Sequence, residues 1–557
     1  MLTTRARLVP LAVLIVMSGA LAFSPGASAK SKGFKFGVAT GDVSAKSAIL
    51  WARSAKQGKA LIQVTGAKGG FKQCKLKKAP AKFVVQAKKS NDLTVQKRIY
   101  KLRPGTSYKY RFCMSNGRRS ETGKFKTAPK QGQQKKIRFA LSGDQDARPI
   151  PGGTEPYWNK FQVWNRIRAQ NNDFNVLMGD TIYSDTEVPG YKLKDVAVSV
   201  KQKRTAYKTN LGMKPWTNAR GSAAYYAHWD DHEFLNDFSQ AENTFPYSND
   251  GVDQGSTDIS GKKLYKQGVQ AFTDYNPITY KKSSGIYRSE RWGKNLEIFF
   301  LDERSFRSSS ADYGGACDNP AGSGTPDLAP TAPQSTRNVF AALIPALANP
   351  VPPDCLDAIN DPSRTMLGSN QLKTFKNAVK NSSATFKVIF NEVPIQQYYA
   401  LPYDRWEGYE AERKALLHFL QDNVRNVVFL TTDVHANLVN DARYNTLGPD
   451  GVQDSGILDV TTGPVATENY TGEINGATGN PSSGPLIQSV FLKSPPPLGV
   501  GMQCASTDQF SYAEVEVTRA QLKIDLLDDK DQPVLDTGDV EANPDATPCS
   551  QVVIPAE

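Results

Sequence analysis

The sequence predicts a two-part α/β protein in which a small β-sandwich precedes a large domain of alternating strands and helices. Residues 34–127 contain short segments rich in β-forming residues, with turn residues between them. From Ile137 onward, apolar strand segments alternate with helical stretches, as is typical of an α/β domain. The length of 557 residues exceeds one typical domain and fits two, one of them large.

The segment 1–29 has the three-part layout of a secretory signal peptide. Two arginines precede an apolar run over residues 8–23, and small residues in an A-x-A arrangement follow. The apolar run is short for a membrane span, and an uncleaved anchor is the alternative. We therefore expect a secreted or cell-envelope protein whose mature chain starts near Lys30.

The first part of the mature chain, residues 30–130, is predicted to be the β-sandwich. Strand segments are expected at Ala48–Trp51, Leu61–Val64, Phe83–Val85 and Arg98–Leu102. The run from 102 to 112 then places a Pro-Gly turn before an alternating Tyr, Tyr, Phe strand, which resembles a corner of a fibronectin-III-type sandwich. A polar stretch at 128–136 is predicted to be the linker.

Charge is distributed unevenly between the two parts. Residues 30–136 contain 22 Lys and 6 Arg against three acidic residues, a net charge of +25, whereas residues 137–557 carry −14. A module this basic is expected to attract an anionic cell-wall polymer, nucleic acid or lipid head groups. A solubilising surface without a partner is the alternative, and no stable protein partner is expected.

Six cysteines without a CxxC pair favour disulfides and argue against a zinc knuckle. Six cysteines permit 15 connectivities, so any single pairing is a hypothesis. The pairing that closes short local loops is Cys74–Cys113, Cys317–Cys355 and Cys504–Cys549.

The large domain is predicted to span residues 137–557. Buried strands are expected at Ile137–Leu141, Phe174–Leu177, Leu296–Leu301, Thr385–Phe390 and Val427–Leu430. Helices are expected around Trp158–Gln170, Leu372–Val379 and Glu410–Asn423. The Pro-, Ala- and Gly-rich segment 312–363 is interpreted as a long insertion.

Four polar clusters follow apolar strand segments, where open α/β sheets build their sites. They are Ser142–Asp146, Gly179–Tyr183, Trp229–Asp237 and Thr431–His435. Each cluster alone is weak evidence for a functional site, because turns favour Gly and Asp and a lone His is usually a satisfied core residue. Together they gather carboxylates, which is costly unless a multivalent cation compensates. Oxygen-rich ligands favour Ca²⁺, Mg²⁺, Mn²⁺ or Fe³⁺.

The order S-G-D, G-D-T-I-Y, W-D-D-H-E-x-x-N-D and D-V-H resembles the PhoD-like alkaline phosphatase family, a branch of the calcineurin-like metallophosphoesterases. The opening F-G-V-A-T-G-D-V-S resembles the N-terminal domain of that family, and L-D-E-R-S-F-R and W-E-G-Y are further landmarks. The resemblance extends from about Phe34 to past Asp441. It implies a four-layer α/β/β/α catalytic domain with a multinuclear metal site.

The resemblance also implies roles for individual residues. Asp180 would bridge two metal ions, Tyr183 would bind a ferric ion as a phenolate, and His232 falls on the catalytic His position. Asp231 stands at a metal-binding Asn of related enzymes, and Asn236 matches a calcium ligand. The full set of implied metal ligands is Asp144, Asp180, Tyr183, Asp231, Asn236, Asp433 and His435. Asn391 falls at a loosely matching ligand position and is grouped with Asp146 around these ligands.

Asp144 is a departure from the family pattern. The best-known members have a Cys there that binds iron, and a carboxylate is a harder ligand than a thiolate. The resemblance implies Ca²⁺ and Fe³⁺, and the substitution leaves Mn²⁺ and Zn²⁺ as alternatives.

The function predicted from these residues is that of a secreted, metal-dependent phosphoester hydrolase. A metal-activated hydroxide would attack the phosphorus of a phosphomonoester or phosphodiester, and His232 would help to neutralise the leaving oxygen. Arg304 would bind the phosphate in a bidentate contact, with a structural salt bridge as its alternative. Asp146 would hold a ligand His or a water.

Three other functions stay open at this point. The first is a phosphodiesterase or phospholipase D-like enzyme that acts on cell-wall polymer or lipid. The second is a non-catalytic surface protein that binds polyanions. The third is an adhesin whose body is stabilised by metal ions.

Overall fold

The computed structural model describes residues 33–114, 116–249, 252–319, 325–536 and 548–557. The predicted signal peptide 1–29 and the predicted start at Lys30 lie outside the described residues. Among the residues described, no helix combines the length and apolar composition that a bilayer crossing requires.

The described part of the chain forms 22 strands and ten α-helices. The strands are β1 (Phe34–Gly41), β2 (Ser47–Ser54), β3 (Gly58–Gly66), β4 (Val84–Ala87), β5 (Thr94–Tyr100), β6 (Ser107–Met114), β7 (Gly123–Lys126), β8 (Ile137–Ser142), β9 (Phe174–Leu177), β10 (Ala224–Ala227), β11 (Thr244–Asn249), β12 (Val252–Asp258), β13 (Arg288–Trp292), β14 (Leu296–Phe300), β15 (Phe386–Phe390), β16 (Val427–Thr431), β17 (Asn437–Asn445), β18 (Gln453–Thr461), β19 (Cys504–Ser506), β20 (Ser511–Val517), β21 (Gln521–Asp528) and β22 (Val552–Pro555). The helices are α1 (Val163–Ala169), α2 (Val200–Asn210), α3 (Lys214–Ser222), α4 (Gly261–Tyr275), α5 (Gln334–Phe340), α6 (Pro353–Asn360), α7 (Ser369–Lys380), α8 (Glu410–Asn423), α9 (Tyr470–Thr478) and α10 (Ser483–Leu486).

Two large mixed sheets form the body of the protein. One has nine strands in the order β22-β21-β20-β8-β9-β10-β1-β2-β5, and the other has seven in the order β13-β14-β15-β16-β18-β17-β19. Strands β8, β9 and β10 are parallel, and so are β14, β15, β16 and β18. The carboxyl ends of these parallel strands lie at one edge, where α/β folds place their ligands.

Apolar side chains fill the space between the two sheets. The ring of Phe139 on β8 lies 6.0 Å from that of Phe390 on β15, and Phe174 on β9 lies 4.5 Å from Trp292 on β13. Helices α1, α2, α3 and α4 pack on the outer side of the nine-stranded sheet, and α7 and α8 pack on the outer side of the other. The layers therefore run helix, sheet, sheet, helix, and the predicted mixed α/β fold is confirmed.

The predicted N-terminal module, residues 30–130, which we call the front module, shares a sheet with the rest of the protein. Strand β1 pairs in parallel with β10 through Gly41 and Tyr225, so β1, β2 and β5 extend the nine-stranded sheet. A four-stranded sheet in the order β4-β3-β6-β7 packs on these three strands, with the rings of Phe34 and Phe112 5.9 Å apart. The sequence does not indicate this continuity, because no local pattern reveals the partner of an edge strand.

Most predicted elements differ somewhat in their bounds from those in the structure, and for two of them a left-handed residue explains the difference. The helix expected at 158–170 begins only at Val163, because Phe161 has a φ of +61° and breaks the helical backbone before it. The strand expected to reach Leu102 ends at Tyr100, since Lys101 has a φ of +63°. Residues with side chains rarely adopt this left-handed conformation inside a regular element.

All three predicted disulfides are confirmed: Cys74–Cys113, Cys317–Cys355 and Cys504–Cys549. The second one closes the segment 312–363, which contains α5 and α6. Within that segment, both terminal nitrogens of Arg337 bond the buried carboxylate of Asp327, at 2.6 and 2.8 Å. The Tyr403 hydroxyl donates to the Asp327 carbonyl at 2.6 Å, which joins the segment to the loop that carries Asp404.

Removing one partner of this buried ion pair is expected to destabilise the protein. Arg337→Met leaves the Asp327 carboxylate buried without its counter-ion, which costs about 3–5 kcal/mol. We expect a lower thermal midpoint for this variant. Arg425→Met is the matched control, because Arg425 is an exposed arginine paired with Glu557 and such pairs contribute about 0–1 kcal/mol. Equal midpoints for the two variants would contradict the expectation.

Candidate metal centre

Four polar residues follow the parallel strands with an unusual backbone conformation. Asp144 follows β8, Asp180 follows β9, and Asp433 and His435 follow β16. Their φ angles are +57°, +39°, +70° and +54°. A non-glycine residue in this region costs about 1–3 kcal/mol, and such strain concentrates at functional sites. The strained turns direct these side chains to the common edge of the two sheets.

The glycine before each of the first two aspartates is required by close packing. A Cβ on Gly143 would lie 1.9 Å from the carbonyl oxygen of Met178. Gly179 has a φ of +70°, and a Cβ there would lie 2.8 Å from the Cβ of Asp230. The Gly-Asp pairs of the sequence therefore allow the strand ends to approach each other closely.

Among the groups of side chains whose ligand atoms lie within 4.8 Å of one another, three consist of residues from the four polar clusters. They are Asp144, Asp180 and His435; Asp180, Asp231 and His232; and Asp230, Asp231 and Asp433. Asp180 belongs to the first two groups and Asp231 to the last two. One continuous cluster thus unites the four polar segments that the sequence singled out.

Several oxygen atoms of the cluster have no protein partner. Both carboxylate oxygens of Asp144 are buried without a hydrogen-bond donor among the described residues, as is one oxygen each of Asp230 and Asp231. Buried acceptors that lack a partner are costly. Multivalent cations would satisfy these oxygens, so the donor set fits hard metal ions.

Burial also changes the protonation of the cluster. It raises the pKa of Asp144 to about 8, although the nearby His435 charge acts in the opposite direction. It raises the pKa of Asp433 to about 7, and Asp404 and Asp231 add to this increase. Burial also raises the pKa of Asp180 well above its ordinary value. Without cations, burial therefore favours the protonated form of these carboxyl groups.

His232 is held by a carboxylate that the sequence analysis missed. Its Nδ1 lies 2.7 Å from Oδ1 of Asp185, and the other oxygen of Asp185 accepts the Asn236 N–H at 2.7 Å. Burial would lower the pKa of His232, but Asp185, Asp231 and Asp180 together raise it well above the usual value. The position of Asp185, two residues after Tyr183, is the only signal that the sequence offers for it.

His435 lies between the cluster and helix α9. Its Nε2 lies 2.8 Å from the Tyr183 hydroxyl, and its Nδ1 donates to Oε1 of Glu473 at 2.5 Å. The N–H of Tyr470 donates to the His435 carbonyl at 3.2 Å. Sequence reasoning missed Glu473, because it follows His435 by 38 residues and no motif marks it.

Arg304 is fully buried and engaged by carboxylates. Its Nε donates to Asp230 at 2.6 Å, and its two terminal nitrogens donate to Asp404 at 2.5 and 2.7 Å. These contacts match the structural salt bridge that the sequence left open as the alternative to phosphate binding. Asp404 is a further residue that the sequence analysis missed.

The remaining predicted residues lie beside the cluster. Asp146 accepts from Thr186 and from the Arg148 N–H at 3.0 Å, so its hydrogen bonds within the described chain do not go to a ligand His. The Asn391 amide donates to the Val393 carbonyl at 2.6 Å. Asn236 is partly buried and binds Asp185 through its backbone.

Comparisons with known proteins agree with the sequence motifs. The family model described as PhoD-like phosphatase matches residues 153–526, and the model of the N-terminal domain of PhoD-like phosphatases matches residues 20–129. Alkaline phosphatase D of Bacillus subtilis (strain 168) is 23% identical over 436 residues, which cover 72% of this chain and 64% of the relative. The match thus spans less than two thirds of the length of that relative.

Two solved structures share the fold. The structure of PhoD superposes with a TM-score of 0.64 at 18% identity, covering 95% of this chain and 93% of the other. The purple acid phosphatase PPD1 from yellow lupin (Lupinus luteus) seeds superposes with a TM-score of 0.51 at 11% identity, covering 90% and 72%. At these identities the likeness concerns the fold alone.

The protonation of the cluster predicts how pH affects the metal-free protein. A carboxyl group whose folded pKa exceeds its unfolded pKa of about 3.9 stabilises the fold at low pH and loses that contribution as pH rises. Asp144 and Asp433 therefore predict a thermal midpoint that falls between pH 5 and pH 8.5. Asp144→Asn should reduce the slope of the free energy of unfolding against pH by at most about 1.4 kcal/mol per pH unit. The exposed Asp422→Asn is the control, and a midpoint that rises with pH would contradict this expectation.

The contact between Glu473 and His435 predicts an effect on metal retention. A carboxylate that accepts from the far nitrogen of a ligand imidazole orients the ring, and its loss typically costs 10–100-fold in metal affinity. Glu473→Gln should weaken metal binding by about that factor, as measured by elemental analysis after dialysis against graded chelator. Glu155→Gln, a change of an exposed glutamate, is the control. Unchanged retention in Glu473→Gln would show that the contact does not orient a ligand.

Proposed function

Because the chain belongs to the PhoD-like phosphatase family, we propose that it is a phosphoester hydrolase that depends on metal ions. One observation carries the proposal. Carboxylates and imidazoles from four distant segments meet at the edge of the two sheets, and buried carboxylate oxygens there lack protein donors. A structural role alone does not account for buried acceptors that are left without partners.

The proposed ligands follow from the shared groups. Asp144, Tyr183 and His435 would hold one ion, Asp231 and Asp433 another, and Asp180 would contribute to both. Asn236 and Asn391 would complete the set. We propose Fe³⁺ and Ca²⁺ as the ions, with Mn²⁺ or Zn²⁺ as alternatives because Asp144 replaces a thiolate. When bound, such ions lower the pKa of water and polarise phosphoryl oxygens.

His232 is proposed to be the catalytic acid. With Nδ1–H donated to Asp185, the ring keeps Nε2 available to carry a proton toward the leaving oxygen. Burial lowers the pKa of the imidazole, but Asp185, Asp231 and Asp180 together raise it well above the usual value in the protein without metal ions, which favours the protonated ring. Asp185 would act as a positioning residue, because one of its oxygens binds the ring at Nδ1 and the other is held by the Asn236 N–H.

We propose that Arg304 is a positioning residue and not a direct phosphate ligand. All its hydrogen bonds run to Asp230 and Asp404, and the side chain has no exposed surface. It would hold Asp230 against the cluster and offset the repulsion among the carboxylates that surround it.

The domain arrangement and location are also proposals. Residues 1–29 would be a signal peptide for export, 30–130 a fibronectin-III-like sandwich, and 137–557 a catalytic domain with the insertion 312–363. The sandwich is supported by the division of its strands into a group of three and a group of four. The substrate would be a phosphomonoester or a phosphodiester, including cell-wall polymer or lipid, and the basic front module would bind polyanions.

The deciding experiment compares metal-free and reloaded protein. Chelated protein should lose turnover of both p-nitrophenyl phosphate and bis-p-nitrophenyl phosphate, and add-back of single metals should restore it. A rate difference between the two substrates would separate monoesterase from diesterase. A stable protein that binds metal but hydrolyses neither ester would favour the binding-protein or adhesin alternatives.

Asp180→Asn tests the shared ligand. Loss of the carboxylate that serves both groups should lower kcat by about a thousandfold or more, which corresponds to about 4 kcal/mol. Metal content should fall in parallel, while the circular dichroism spectrum stays that of the parent. Asp422→Asn, which changes an exposed aspartate, should keep full turnover. Undiminished turnover in Asp180→Asn would refute the proposed centre.

A further inference from the structure

The three acidic residues of the front module all face the catalytic part. Asp42 binds Arg288 of β13 at 3.0 Å, and Asp92 binds Lys208 of α2 at 3.2 Å. Glu121 lies beside Gly37, next to Thr217 of α3. The negative charge of this module is therefore turned away from its outer surface.

The outer side of the four-stranded sheet carries cations. On β6, Tyr108, Tyr110 and Phe112 point into the core, so the alternate residues Lys109 and Arg111 point outward. Lys109 pairs in register with Lys124 of β7. The backbone of Arg119 forms an isolated antiparallel β-bridge with that of Cys113, at the end of the same strand.

A lysine-rich segment, residues 67–83, crosses this outer side and is fixed there. The disulfide from Cys74 reaches Cys113, which points outward on β6. The Lys72 carbonyl accepts hydrogen bonds from Gln63 at 2.9 Å and from Arg111 at 3.3 Å. We call the combined surface the basic face. It comprises Lys68, Lys72, Lys75, Lys77, Lys78, Lys82, Lys109, Arg111, Arg119 and Lys124.

Among the described residues, no carboxylate forms an ion pair with a cation of the basic face. In the described part of the chain, the ion pairs to carboxylates involve other cations of the module, such as Arg53, Arg98 and Lys126. Burial and the nearby charge of Arg119 lower the pKa of Arg111, as expected where cations are close together. Such a concentration of uncompensated charge attracts polyanions and gains affinity by releasing their counter-ions.

We propose that the basic face is a docking surface for a linear polymer of phosphate groups. The ten cations spread over a sheet and a crossing segment, which suits an extended chain with repeated charges better than a single anion. A lipid surface is disfavoured, because membrane binding strengthens with the apolar area that a protein inserts, in addition to its charge. The large exposed apolar residue of the described module is Tyr100, and it lies on β5 of the other sheet.

Nucleic acid is disfavoured for a related reason. Proteins that bind single strands stack bases on free aromatic faces. On the basic face, Arg111 covers the ring of Phe71 at 4.4 Å, and Lys82 covers that of Phe83 at 5.4 Å. The face thus offers charge without a stacking platform. The proposed docking does not require hydrolysis, so it can be tested independently of the metal centre.

The test measures binding of inorganic polyphosphate of about 20 residues to the full protein. The variant Lys72→Gln/Lys75→Gln/Lys77→Gln/Lys78→Gln should bind at least tenfold more weakly. Its salt dependence should also be shallower, by about 3 in the slope of log K against log salt, at about 0.7 per cation. The matched control changes four exposed lysines outside the face, Lys262, Lys263, Lys281 and Lys282, and should bind like the parent.

Two further binding measurements distinguish a phosphate polymer from a membrane and from a nucleic acid. Vesicles of phosphatidylcholine and phosphatidylglycerol and an unstructured DNA 20-mer are compared with polyphosphate at equal anion concentration. Tighter binding of either one, lost in the fourfold variant, would overturn the proposal in favour of a membrane or a nucleic acid. Equal polyphosphate binding by the variant and the parent would overturn it altogether. Turnover of p-nitrophenyl phosphate should be the same in all three proteins, which separates docking from catalysis.

Discussion

The repulsion among buried carboxylates is the constraint that organises this molecule. Asp144, Asp180, Asp230, Asp231 and Asp433 lie in one cluster. Burial opposes the ionisation of Asp144, Asp180, Asp230 and Asp433. The fold supplies partial compensation through positive groups placed at the border of the cluster. Arg304 binds Asp230 and Asp404, and both imidazoles take part in hydrogen bonds with further carboxylates. The compensation leaves several oxygens without donors among the described residues, and the proposed metal ions would satisfy them.

Rigid strands and turns hold the carboxylates together despite their repulsion. Each ligand follows a strand that is hydrogen-bonded on both sides and packed between a helix layer and the opposite sheet. The left-handed turns at Asp144, Asp180, Asp433 and His435 are tolerated because the surrounding strands leave the backbone no relaxed alternative. Gly143 and Gly179 allow the closest approaches, so an alanine at either position would push adjacent strand ends apart.

Much of this could be predicted from local sequence. Strand β9 and helix α8 have the predicted bounds, because their apolar patterns are bounded by clear turn or cap residues. The four polar clusters were recognisable because each one follows an apolar strand directly. Glu473 and Asp404 could not be recognised from the sequence, since each reaches the site from a distant segment through side-chain contacts. The pairing of β1 with β10 was hidden for the same reason: register between distant strands leaves no local pattern.

Helix α9 has an unusual status within this scaffold. None of its nine residues is fully buried, so tertiary burial contributes little to its position. It is anchored by the Asn469 cap, the hydrogen bond from Tyr470 to the His435 carbonyl, and the Glu473 carboxylate. Segments with so few buried contacts open at much lower free energy than the rest of a protein. Detachment of this helix would thus expose the far side of His435 while the sheets remain folded.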